Sequence, residues 1–182
     1  MKTALLTLSA VLGLALQSHA ADAAAINSHY TSYHTAGKAV VEMGINKKVD
    51  AADVGKKVDT MVADAVWFAG EYAKAFPKGE KLIKVITDNV DAMKKLSFKE
   101  LEHEWHDMHH FDKSNDTGVD VKAEENEHFT DPIHSIVHPL LVLKAAQAYA
   151  ATKGEDDLKS IKEEMEEGLE QMEKMKTALL KK

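Results

Sequence analysis

Seven of the ten histidines fall between His103 and His138, interleaved with Glu100, Glu102, Glu104, Asp107, Glu124, Glu125, Glu127 and Asp131, in a chain without cysteine. Imidazole and carboxylate groups ligate borderline and hard cations, so this density in one short window points first to metal coordination.

Two groups stand out within the window. On a helical wheel at about 100° per residue, His103, His106 and His110 share one face with Glu100 and Asp107. Phe98, Leu101, Trp105 and Met108 fall on the opposite face, the one that must enter a core. The ligand face therefore points outward or toward the loop that follows, which favours a site roofed by that loop. His134 and His138, one turn apart, project from a segment that is apolar on nearly every side: Ile133, Ile136, Val137, Leu140, Leu141, Val142 and Leu143. Buried neutral imidazoles need partners for both ring nitrogens. Those partners are either other core groups or a cation. Pro139 lacks the amide that would bond the Ser135 carbonyl, which leaves an acceptor free beside the pair. His109 reads as a surface residue, and His29 and His34, flanking Tyr30 and Tyr33, as packing or hydrogen-bonding groups. The pattern does not decide whether the His103–His110 face and the His134/His138 pair form one site or two.

Other motifs are weaker. Glu100/His103 and Glu125/His128 match the E-x-x-H element of di-iron bundles, but no lone inward glutamate stands on the apolar stripes to complete it. The Asp112–Gly118 stretch has its glycine one place late for a calcium loop, and Ala123 occupies the position where the bidentate glutamate belongs. No H-E-x-x-H helix, nucleophile elbow or phosphate-cradling glycine loop is present.

The elements that must position these groups are helical throughout. Apolar spacing predicts helices over Ala24–Gly44, Asp50–Phe76 and from Glu80 through Met93. Ser97 and Glu100 form a capping box that opens a further helix to about Phe111. Thr130-Asp131-Pro132 starts another that runs to Thr152, and a last one spans Glu155–Leu180. The core methionines are expected to be Met61, Met93, Met165, Met172 and Met175. Between Asp112 and Asp131 the period is lost, giving one long polar loop. The expected fold is all-α: an antiparallel bundle of four to six helices forming a single domain over 21–182.

Residues 1–20 read as a signal peptide. Lys2 is the basic n-region, Ala4–Leu16 the apolar stretch and Ser18-His19-Ala20 the small-x-small cleavage pattern, with cleavage near Ala20/Ala21. No later stretch is apolar for long enough to span a membrane, so a periplasmic or secreted product is expected. The formal charge of −7 and the absence of arginine argue against nucleic acid and phosphate ligands,. Without cysteine there are no disulfides, no thiolate site and no C-x-x-C-H haem attachment.

The leading expectation is an exported helical protein that binds a transition metal, zinc or copper, for storage, buffering or delivery. Its ligands are drawn from His103, His106, His110, His134 and His138, with Glu100 and Asp107 as ligands or orienting carboxylates. A haem b or non-haem di-iron redox protein using the same histidines is the alternative. A metal-free protein-interaction bundle, with a homodimer or another protein as partner, is the second.

Overall fold

Carboxylates begin the first two helices where local sequence places them. The computed structural model describes residues 22–112 and 117–182. The leader over 1–20 and the loop residues Asn115 and Asp116 therefore lie outside the described residues. Helix α1 spans Ala23–Ile45, with the Asp22 side chain accepting from the Ala24 amide, and α2 spans Ala51–Ala75, with Asp50 accepting from Ala52 and Asp53. Each cap satisfies amides that a helix start leaves unpaired. A 3₁₀ turn at Pro77–Gly79 leads into α3, Glu80–Asp88, and α4, Val90–Met93. The helix expected to continue from Glu80 through Met93 is thus broken at Asn89.

A short helix α5, Phe98–Leu101, opens at the predicted Ser97/Glu100 capping box. Helix α6 covers Asp131–Thr152 with proline in its first turn, and α7 covers Glu155–Leu180. The described residues contain helices and turns and no strand, an all-α fold. None of these helices is long and apolar enough to cross a membrane.

Four long helices pack around one core: α1 against α2 and α7, and α6 against α2 and α7. Its largest fully buried side chains include Tyr33, Phe68, Tyr72, Ile133 and Ile136, and the five methionines named from spacing are fully buried. Met supplies adaptable volume where four helices meet at irregular distances. The α3–α5 region lies across α2 and α6.

Two expectations need correction. The segment from Ser97 to Phe111 is not one α-helix. After α5 it widens into a π-helical turn at Glu102–His106, where the Asp107 amide bonds the Glu102 carbonyl five residues back at 2.8 Å. Met108 then takes a left-handed conformation (φ 62°), and a 3₁₀ turn runs His109–Asp112. The following connection is not a bare polar loop either. It carries a 3₁₀ turn at Glu124–Phe129 and buries Val119, Val121 and Phe129 against the core. The Tyr72 hydroxyl bonds the His128 carbonyl at 3.0 Å and Lys78 Nζ bonds Asn126 at 2.9 Å, holding it down. Three apolar side chains spread over eleven positions lack any period, so only tertiary packing orders them.

Candidate metal centre

The π-helical turn packs against α6, and α6 against α7, so three chain segments meet at His138. There the rings of His106, His134 and His138 form a triangle. Centroids lie 5.2 Å apart for His106/His134, 5.1 Å for His106/His138 and 5.4 Å for His134/His138. The ligand atoms of His106, His138 and Glu167 all fall within 4.8 Å of one another. His134 flanks this trio.

Each ring has one nitrogen held by an acceptor. His138 Nδ1 meets Glu164 Oε2 at 2.8 Å, His106 Nδ1 meets Asp107 Oδ1 at 3.1 Å, and His134 Nε2 meets the His106 carbonyl at 3.3 Å. A carboxylate or carbonyl only accepts, so these nitrogens carry a proton, and in the neutral form of each ring the opposite nitrogen holds the lone pair. That is the arrangement in which a second carboxylate or carbonyl orients a metal-ligating imidazole. The other His138 ring nitrogen, Nε2, lies 3.7 Å from Glu167 Oε2. Burial, and next the neighbouring His138, push the His134 imidazole down to about 4. It is therefore neutral at pH 7, the form that ligates.

The backbone around His138 is built for close approach. Pro139 stands inside α6, and the Ser135 carbonyl it leaves without an amide receives the Tyr33 hydroxyl at 2.8 Å. The Tyr33 oxygen also lies 3.3 Å from the Gly168 carbonyl, tying α1, α6 and α7 together at one level. A Cβ on Gly168 would sit 3.0 Å from His138 Cβ and 3.2 Å from the Tyr33 oxygen. Glycine at 168 thus lets α7 close on His138 and brings Glu164 and Glu167 to its ring.

Of the residues named from sequence, His106, His134 and His138 meet here, and Asp107 holds His106. The other three stand elsewhere. The Glu100 carboxylate is engaged by the Ser97 amide and hydroxyl at 2.8 and 2.7 Å, which holds it below the usual carboxylate range. His110 stacks on the buried Trp105 ring at 4.0 Å, on the side opposite to that given by the wheel. His103 joins a different set. Its ring stacks on His109 at 4.3 Å, and His103, Asp107 and His109 bring their ligand atoms within 4.8 Å of one another. The left-handed Met108 folds His109 back over His103. His106, expected to face outward or toward the following loop, faces α6 because the π turn changes the angular spacing that the wheel assumed.

Glu164, Glu167 and His109 were missed. The two glutamates sit in a helix where acids are common, so residue type carries no signal. The glycine at 168, in an otherwise large apolar stripe, was the available clue. His29 forms a separate pair with Asp64 at 2.7 Å and stacks on Trp67, while His34 packs on Tyr30 and His128 on Phe129.

Comparison of the chain with family models, curated proteins and solved structures returned no match.

Proposed function

We propose that this chain is an exported, antiparallel helical bundle that binds a transition metal ion, zinc or copper, for storage, buffering or delivery. The observation that carries the reading is the meeting of His106 and His138 with Glu167 within 4.8 Å, beside His134. His106, His138 and Glu167 are the proposed ligands, with the His134 ring beside them. Glu164 and Asp107 orient the rings and raise their basicity. Two or three imidazoles with one carboxylate, and no sulfur, suit zinc or copper(II) better than magnesium or calcium, which take oxygen. Ring separations of 5.1–5.4 Å suit an occupant the size of a single ion. Export is supported by the leader-like composition of residues 1–20.

The test is calorimetric titration of metal-free protein with zinc, beside a His106→Ala/His138→Ala variant whose helicity is checked by circular dichroism. The expected result is a tight equivalent in the wild type that the variant lacks. Equal binding by both proteins, or none by either, overturns the proposal.

A further inference from the structure

The second cluster, on the solvent side of the same turn, has the parts of a site of its own. His103 is exposed and stacks on His109 at 4.3 Å; Asp107 completes the set within 4.8 Å. His109 is oriented as His138 is: its Nδ1 meets Asp112 Oδ2 at 2.8 Å, which leaves Nε2 to ligate,. Asp112 is itself fixed by Lys122 Nζ at 2.5 Å, so the orienting carboxylate is anchored to the far side of the loop. The chain adopts an unfavourable backbone at Met108, φ 62°, to bring His109 over His103. A non-glycine residue in that region persists where surrounding contacts impose it.

Asp107 belongs to both clusters. Its Oδ1 accepts from His106 Nδ1 at 3.1 Å, and the same carboxylate offers an oxygen to the His103/His109 set. We infer that His103, Asp107 and His109 form a second, solvent-facing site for a divalent transition-metal cation, coupled through the Asp107 carboxylate to the inner site at His106, His138 and Glu167. The inference rests on the inner site being a metal site for the coupling it describes. The outer site receives the cation from solution, and Asp107 lies on the short path inward. Two histidines and one carboxylate leave positions open to water, which suits a site that takes up and releases its ion.

Cobalt(II), whose visible bands report coordination, is titrated into metal-free full-length mature protein, and bound metal is counted after equilibrium dialysis. Wild type is expected to hold two equivalents. His103→Ala/His109→Ala, at largely solvent-facing positions, is expected to lose one and keep the other. Asp107→Asn loses the outer equivalent and also weakens the inner one by about tenfold, since it removes an orienting carboxylate. A wild type holding one equivalent that His103→Ala/His109→Ala retains and His106→Ala/His138→Ala loses refutes the outer site and leaves the inner one standing. No cobalt bound by any protein refutes both. An Asp107→Asn protein with unchanged inner affinity refutes the coupling.

Discussion

Replacing Glu164 by alanine separates the two tasks assigned to that carboxylate. His138 is 1% exposed, and its Nδ1–H has Glu164 Oε2 as a 2.8 Å acceptor. Removing the acceptor leaves a buried N–H unpaired, which costs about 1–3 kcal/mol. The Glu164 side chain is 18% exposed, so water can reach part of the vacated space and the lower half of that range applies. For a domain of this size, a loss of about 1–2 kcal/mol corresponds to a fall in Tm of about 2–8 °C in the absence of metal. The same loss frees the ring to turn and lowers its basicity, weakening zinc binding by about 10–100-fold. Glu164→Gln keeps an acceptor oxygen, so most of the stability is restored while affinity stays reduced. Thermal unfolding monitored by circular dichroism in chelator, followed by zinc titration of each protein, reads both effects. An alanine variant that matches wild type in metal-free Tm and in zinc affinity would refute the orienting role of Glu164.

Three further outcomes are expected. Tyr33→Phe strands the Ser135 carbonyl that Pro139 leaves free, and urea unfolding should show a loss of about 1–3 kcal/mol; an unchanged midpoint would mean that carbonyl has another partner. Gly168→Ala gains about 1 kcal/mol in helix propensity but forces α7 away from His138 Cβ, 3.0 Å from the new carbon, so a net loss of stability is expected, and a net gain would contradict the close approach,. Burial pushes the Asp131 carboxyl up to about 6, against the pull of Lys174 and with Glu127 and Glu170 adding to the rise. A raised folded-state value contributes stability below the unfolded value near 4 that is lost as pH rises through 6. Asp131→Asn should therefore gain on wild type by roughly 2–3 kcal/mol between pH 4 and 7, as read from unfolding curves at both, and a pH-independent difference would refute this.

The long helices were legible because each has local punctuation: Asp50 before α2, Pro132 in the first turn of α6, and Gly154 before α7. The apolar period placed the five core methionines correctly. Around His103–Asp112 the same reasoning failed for a physical reason. A wheel at 3.6 residues per turn cannot anticipate a π turn, and it set His106 outward or toward the following loop and His110 away from Trp105. Nor does sequence announce a left-handed methionine, since Met108 pays a local strain that only its surroundings maintain. Ser135 shows the opposite case: the free carbonyl followed from Pro139 alone, but its partner, Tyr33, is 102 residues away. Glu164 and Glu167 were hidden among the many acids of α7, whose meaning depends on which side of Gly168 touches His138.

Anomalous diffraction at the zinc edge, from crystals of the zinc-loaded protein, locates the ion among its proposed ligands. A peak is expected at about 2 Å from a ring nitrogen of His106 and of His138 and from a Glu167 oxygen. Zinc-loaded crystals with no peak at these three side chains would contradict that ligand set.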